Sequence, residues 1–407
     1  MIRVSRPTVV RIRCAPVGIF ACVLGMLAHA TTWASPDRDY AGSNLEGQLA
    51  QIVAAIDNRQ IDTAIGLTDR LLMQYPTFRL GHLIKGDLLL ARGQAITTLG
   101  AAPNAPTERL SDLRQEAIAR LRAYRDRPAP NVLPRYLLQM RSDQKYAVVV
   151  DLQKSRLYVY ENDDGKPRFV ADYYVAHGRA GTDKSREGDQ KTPIGVYHVT
   201  ANLPRNKLSD FYGSGAFPIN YPNDWDRRQG RGGHGIWLHG TPSDTFSRPP
   251  FASDGCVVLA NEDLTALAKH LQVGLTPVII SDSVEWRSYD EWRTERSALR
   301  EAIEAWKSDW ESRDVERYLS HYSRSFSADR KDLAQFSRQK RRVATGKTWI
   351  KIDLDEMSMF RRPGTEEIVV VTFLQNYRSN NLNNKMWKRQ YWIREDGDWK
   401  IVDEGSA

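Results

Sequence analysis

Apolar positions recur at helical steps between residues 44 and 95. Leu45, Leu49, Ile52 and Ile56 form one stripe, and Ile61, Ala64, Ile65, Leu71 and Leu72 form a second. Tyr75 and Pro76 end the second stripe, and Leu80 to Leu90 offers a third. Pro103 to Pro106 marks a loop, after which Leu110, Leu113, Ala117, Leu121 and Tyr124 make another stripe. Ala64 followed by a terminal Pro76 fits paired helices of the tetratricopeptide kind. The proline-rich stretch from Pro128 to Pro134 reads as a linker.

From Tyr146 the period shortens. Tyr146–Leu152 is an apolar β-branched run, Arg156–Tyr160 alternates, and Asp163, Asp164 and Gly165 supply a hairpin turn. Strand-like runs continue at 169–175, 195–199, 235–238 and 277–280, interrupted by a short helix over 261–272. After Val284 a long helical stretch, Tyr289–Ser312, and a short one, Asp314–His321, precede four strand-like runs at 349–359, 367–377, 385–394 and 399–402. Helices followed by a meander of long strands predict an α+β cone. The expected fold is therefore multidomain: an all-α helical, tetratricopeptide-like module with its linker (35–142), a mostly-β domain (143–283) and an α+β cone-like domain (284–407).

Residues 1–34 stand apart. Arg3, Arg6, Arg11 and Arg13 precede an uncharged stretch from Cys14 to Leu27, and small residues around Ala28, Ala30 and Ala34 follow. A basic start, a short apolar run and an A-x-A-like site read as a secretory signal peptide, which predicts a periplasmic protein. The apolar run is short for a membrane span, so membrane contact is expected only through an uncleaved signal. Cleavage changes the charge argument. The chain carries a formal +8, but losing four arginines and no acids leaves +4, a weak footprint for nucleic acid, and no nucleic-acid partner is expected. It also removes Cys14 and Cys22, so that Cys256 is the one cysteine left in an oxidising compartment.

Cys256 follows Gly255 directly and precedes the strand-like Val257–Leu259, a setting in which the backbone turns tightly and its N–H groups can approach an oxyanion. A cysteine nucleophile needs a base or cation nearby, and His239, at a strand end before the loop returning to Cys256, is the best placed. If the strand is regular, the odd spacing of His234 and His239 sends them to opposite faces. One cysteine with scattered histidines lacks the ligand pairs of a zinc site, and no metal is expected.

His239, Gly240, Thr241 and Pro242, then Ser253, Gly255, Cys256 and Val257, resemble the active-site motif of L,D-transpeptidases with a YkuD-type catalytic domain. Gly188, Asp189, Thr192, Pro193 and Gly195 resemble that family's upstream motif, and the likeness covers roughly residues 144–282. It implies a β-rich sandwich and no cofactor. It implies Cys256 as nucleophile, His239 as proton acceptor and donor, the Gly240 carbonyl as the group orienting the imidazole, and backbone N–H groups around Gly255 and Cys256 as the oxyanion hole. The implied substrate is a peptidoglycan stem tetrapeptide. Cys256 attacks at residue three, D-alanine leaves, and an amine acceptor resolves the thioester. Water as acceptor gives the alternative, an L,D-carboxypeptidase of the cell-shape type, and hydrolysis of a lipoprotein–peptidoglycan bond is related. A wall-binding scaffold without catalysis is the alternative of another class.

Two positions depart from the pattern. Many members carry His before the Gly-Cys pair and Arg two residues after the cysteine; here these are Asp254 and Val258. Asp254 would disfavour a thiolate unless turned away or paired with a cation. His234, Arg231, Ser253, Asp254 and Thr241 are the expected substrate-binding residues, with His177 structural or cleft-lining and Trp237 in the core. Trp306, Trp310, Tyr318, Tyr322, Phe373, Gln375, Tyr377, Ser379 and the run Gly397–Lys400 resemble the nuclear-transport-factor-2-like (SnoaL-like) cone. No paired acid and base stands out there, so a binding or dimerising role is expected, with a protein partner for the cone and the helical module. The basic run Arg338–Arg342 reads as a solvated face, with contact to anionic wall polymer as the alternative.

Overall fold

The computed structural model describes residues 44–102, 106–328 and 330–407. The expected signal at 1–34, Cys14, Cys22 and the core of the 103–106 loop lie outside the described residues.

Four helices open the fold: α1 (Leu45–Asp57), α2 (Ile61–Gln74), α3 (Arg79–Leu90) and α4 (Thr107–Arg125). The predicted stripes meet between them, with Leu45, Ile52, Ala64, Leu71 and Leu80 wholly or almost wholly buried. The expected linker is only partly one. Val132–Pro134 (β1) and Leu137–Gln139 (β2) are strands. β2 pairs with the edge of the C-terminal sheet because Leu137 and Leu138, both fully buried, complete its core.

The central domain is built from β3 (Tyr146–Asp151), β4 (Arg156–Asp163), β5 (Lys166–Tyr174), β6 (Gly195–His198), β7 (Leu203–Pro204), β8 (Gly215–Pro218), the short helix α5 (Asp224–Arg228), β9 (Trp237–His239), β10 (Val257–Val258), α6 (Asn261–Ala268) and β11 (Pro277–Ser281). Two sheets form, in the orders β5-β4-β3-β11-β6 and β10-β9-β8-β7. Val148, Val150, Leu157 and Ile280 of the first sheet pack on Leu238 and Val257 of the second, a dry sandwich core. Asp164 and Gly165, both at positive φ, close the β4–β5 hairpin at the predicted turn.

The C-terminal part holds β12 (Trp286–Ser288), α7 (Tyr289–Ser312), α8 (Val315–Ser320), β13 (Ser327–Ala328), β14 (Lys331–Asp332), α9 (Leu333–Ala344), β15 (Ile350–Arg361), β16 (Ile368–Ser379), β17 (Leu382–Glu395) and β18 (Asp398–Ser406). The sheet β18-β17-β16-β15-β2 curls around α7, whose Trp292, Leu299, Ile303 and Trp306 are buried against it. α9 exposes Arg338, Arg341 and Arg342, as a solvated face requires, and corrects that reading for Lys340 alone. Arg341 does pair outward with Glu316, but the Lys340 ammonium turns inward over the rings of Trp310, Tyr318 and Phe336. Burial pulls its pKa down to about 8. Lys340 lies at the mouth of the cone, on a cavity of about 280 Å³ also lined by Tyr318, Gln375, Tyr377 and Lys388.

Candidate active site

β9 and β10 lie side by side and parallel, with Leu238 opposite Val257 and His239 opposite Val258. Leu238 and Val257 are fully buried in the sandwich core. Side chains alternate along a strand, so His239 and Val258 point to the other face. Carried one residue back, the same alternation puts Cys256 on the face of His239. The turn before Cys256 needs Gly255, which has φ +123° and whose missing Cβ would lie 2.6 Å from the Lys191 carbonyl oxygen.

The turn is braced from inside. The Ser253 hydroxyl donates to the Cys256 carbonyl at 2.6 Å and accepts the Gly255 N–H at 3.1 Å. Thr192 Oγ1 donates to the Gly255 carbonyl at 3.0 Å and accepts the Gly178 N–H at 2.9 Å. Thr192 is fully buried and Ser253 almost so. Two sequence expectations are corrected here. Ser253 supports the nucleophile turn and does not face a substrate, and the Gly255 N–H is given to Ser253, inside the turn, and not to an oxyanion. The backbone N–H that does approach the sulfur belongs to Trp237, which the alternation places opposite Cys256.

His239 is 1% exposed, enclosed by Phe211 and Tyr212, whose rings lie 5.8 and 5.1 Å from the imidazole. Its Nδ1–H donates to the Gly240 carbonyl at 2.7 Å, which leaves Nε2 as the basic nitrogen. A Cβ at Gly240 would lie 2.2 Å from Asn261 Oδ1, so only glycine brings the carbonyl this close. Burial pushes the His239 pKa down to about 4, with Arg248 adding to the shift and the Gly240 carbonyl opposing it. The Cys256 thiol is free and half-buried, and Sγ–H donates to the Gly235 carbonyl at 3.3 Å. Burial pushes its pKa up, against the Trp237 N–H and the Arg248 guanidinium; Asp254 pushes the same way as burial. At neutral pH Cys256 is therefore a thiol and His239 a neutral imidazole, placed on one face of the β9–β10 pair, an arrangement suited to proton transfer during attack rather than to a resting ion pair.

The remaining expected residues are dispersed. Thr241 is buried, its hydroxyl given to the Phe246 carbonyl at 3.2 Å, so it does not face a substrate either. His234 stands exposed on the rim, 3.1 Å from Glu187, and Arg231 pairs with Asp183 at 2.9 Å. The opposite-face argument for His234 does not apply, because Gly235 at φ +76° breaks the chain before β9 begins. Asp254 is turned outward and paired with Arg179 at 2.9 Å. His177 is buried beside Phe251 at 4.7 Å with its pKa pushed down to about 4 by burial, and Trp237 is half-buried beside Tyr212. Asp189 of the upstream motif ties its loop together. Although burial opposes it, Lys184 Nζ at 2.7 Å and the N–H groups of Ser185, Arg186 and Lys191 hold its carboxyl well below the usual range. Among the described residues no three His, Cys, Asp or Glu side chains converge as metal ligands.

Two contributors had no sequence assignment. Thr192 lay inside the upstream motif without a role. Arg248 lies between His239 and Cys256; its one local signal is that it is the single basic residue in that proline-containing loop.

A family model described as the L,D-transpeptidase catalytic domain (YkuD) matches residues 145–280, and one described as the Cds6 C-terminal NTF2-like domain matches residues 298–405. Among solved structures the chain is similar to Bd1075 of Bdellovibrio bacteriovorus, at 30% identity over 68% of this chain and 98% of that one, with a TM-score of 0.60. It is also similar to Pgp2 of Campylobacter jejuni, described as a helical cell shape determining protein, at 28% identity over 67% of this chain and 95% of that one, with a TM-score of 0.58. Comparison with curated proteins gives no match. A likeness at this identity that spans nearly the whole of that structure, together with both domain matches, settles the family: the chain belongs to the YkuD-type L,D-transpeptidases and carries a C-terminal NTF2-like domain.

Proposed function

We propose that the protein is an L,D-carboxypeptidase that trims peptidoglycan stem tetrapeptides to tripeptides. The observation that carries this reading over amine transfer is that the likeness to a cell-shape-determining protein runs through 95% of that protein, in a chain that itself carries an NTF2-like domain. Cell-shape enzymes that combine this catalytic type with a cone are the ones expected to use water as acceptor.

The site geometry supports a two-step reaction. His239 Nε2 takes the proton of the Cys256 thiol as Sγ attacks the carbonyl carbon of residue three. The negative charge forming on the carbonyl oxygen is met by the Cys256 N–H, the Gly255 N–H being given to Ser253. The carbon–nitrogen bond breaks, His239 returns the proton to the departing amine, and D-alanine leaves a thioester behind. Water then attacks the thioester, giving one proton to His239, which passes it to Sγ. The products are a tripeptide with a new carboxyl group and free D-alanine, with one water consumed. The Gly240 carbonyl keeps the imidazole in one tautomer throughout, and no metal or cofactor takes part. A peptidoglycan substrate, with the basic and then apolar start of the sequence, supports a periplasmic enzyme. Among the described residues no helix is long and apolar enough to cross a membrane.

Incubation of the protein with purified tetrapeptide muropeptides tests the reading. Tripeptide and free D-alanine are expected, both lost in Cys256→Ala. Cross-linked dimers in place of tripeptide would make the enzyme a transpeptidase, and no product of either kind would overturn catalysis on this substrate.

A further inference from the structure

Of the cations acting on the candidate nucleophile, Arg248 has the largest effect. Its guanidinium lies 4.5 Å over the Phe211 ring and acts electrostatically on Cys256, Asp254 and His239. Arg179, its neighbour, is spent on Asp254 at 2.9 Å. Arg248 donates only a long bond, 3.5 Å, to the Phe211 carbonyl, and no carboxylate among the described residues lies within ion-pairing distance of it. It is a half-buried charge without a counter-ion beside the reacting sulfur. Such a charge is costly to hold unless an anion arrives to share the site.

The loop that carries Arg248 is held by the helical module. Phe246 is 5% exposed, inserted between Tyr75 (4.7 Å) and Phe78 (5.5 Å), and its N–H donates to the Thr77 carbonyl at 3.3 Å. Next to it, the Ser247 hydroxyl donates to Glu116 Oε1 at 2.6 Å. Glu116 belongs to a buried network in which Arg120 bridges Glu116 (2.9 Å) and Glu46 (2.7 Å). The Arg120 guanidinium lies 3.8 Å over the Tyr174 ring, and the Tyr174 hydroxyl donates to the Arg248 carbonyl at 3.0 Å. Three consecutive residues are thus fixed from outside the loop, two of them by the helices directly and the third through Tyr174.

We propose that Arg248 receives the free carboxylate at the C-terminal end of the substrate, and that the helical module positions it through Phe246 and Ser247. The ligand class is an α-carboxylate one residue beyond the attacked carbonyl, as a stem ending in D-alanine presents. The assignment of that carboxylate to a stem peptide rests on the proposed carboxypeptidase reading. The anion site itself does not, and the two can be tested apart.

The first test needs no turnover. Alkylation of Cys256 is timed with iodoacetate, which is anionic, and with iodoacetamide, which is neutral; the ratio of the two rates cancels any change in thiolate fraction. Arg248→Gln is expected to lower the ratio several-fold and Arg248→Lys to restore much of it. Ser247→Ala, which removes one bond to the helices, and Phe246→Ala are expected to lower it in the same direction. An unchanged ratio in Arg248→Gln overturns the anion site, whatever the enzyme does to muropeptides. A fall in Arg248→Gln with wild-type ratios in both loop variants overturns the role of the helices. The second test compares tetrapeptide with its C-terminal carboxamide. Wild type is expected to prefer the acid, and Arg248→Gln to raise KM for the acid about tenfold, the worth of one hydrogen bond to a charged group, with little change for the amide. Equal loss on both substrates would overturn carboxylate recognition. A sound alkylation ratio with no hydrolysis of either peptide would overturn the stem-peptide reading and leave the anion site standing.

Discussion

Removing the Ser253 hydroxyl isolates what braces the nucleophile turn. The group is 2% exposed and makes two bonds, to the Cys256 carbonyl at 2.6 Å and from the Gly255 N–H at 3.1 Å. Ser253→Ala leaves a buried donor and a buried acceptor without their partner. An unsatisfied buried group costs about 1–3 kcal/mol, so the pair should cost about 2–6 kcal/mol of folding stability. The measurement is urea unfolding, with the midpoint falling and the slope unchanged. Catalysis should suffer separately, because the turn sets the position of Sγ. A displacement of about 1 Å at a reacting atom costs roughly a hundredfold in rate, to be read as kcat on tetrapeptide and as the iodoacetamide rate. Thr265→Ala is the control. That hydroxyl donates to the Asn261 carbonyl at 2.8 Å but is exposed, so the change should stay within about 0.5 kcal/mol. If Ser253→Ala behaves like Thr265→Ala in both unfolding and thiol reactivity, the bracing argument is wrong.

Two further predictions concern pH. Burial holds the His239 pKa down to about 4, so the base stays neutral through the mildly acidic range; kcat/KM should be flat from pH 7 to about 5 and fall only as pH approaches 4. An acid limb near the usual histidine value would contradict the dry setting of the imidazole. Asp263, at the join between the helical and catalytic parts, has its pKa raised to about 7, by burial first and then by Glu46. The native state therefore binds a proton that the unfolded chain loses at ordinary carboxylate pH. The resulting stability is fully present below about pH 4 and is lost as pH rises to 7. Asp263→Asn should flatten that slope and gain stability relative to wild type at pH 8, measured by thermal unfolding across the range; equal slopes in the two proteins would refute the burial assignment.

The parts legible in the sequence are those with a local period. The helix predicted at Tyr289–Ser312 has those bounds, and the four final strands are where alternation put them, a few residues longer at their ends. α9 escaped because its apolar positions are sparse, although Asp332 and Gln335 form a capping box that the sequence spells out. β2 escaped because three residues carry no period, and its partner strand is more than two hundred residues away. Of the residues singled out for chemistry, Cys256 and His239 fall on one face of the β9–β10 pair and His239 donates to the Gly240 carbonyl, whereas Ser253 and Thr241 turn out to be buried supports. A motif records that a hydroxyl is near the nucleophile in sequence. Which way the hydroxyl points depends on a turn that only long-range packing completes.

Arg248 is the clearest instance of that limit, and the fold gives a reason why the charge comes from there. In many relatives the arginine sits two residues after the cysteine. In this chain that place is Val258, 2% exposed, paired with His239 in the ladder and exchanging both backbone bonds with Ala176 at 2.8 and 2.9 Å. A guanidinium there would have to be accommodated in a place now almost closed to solvent, a cost that valine avoids. A cation beside the sulfur then has to arrive on another segment. The loop between His239 and Cys256 is bound to pass the site, but a free loop would hold an arginine loosely. Phe246 and Ser247 spend their side chains on the helices, and that attachment turns a mobile cation into a fixed one. On this argument the helical module is part of the substrate site, although none of its described residues touches the nucleophile, and removing it should damage the preference for an anionic substrate before it damages the thiol.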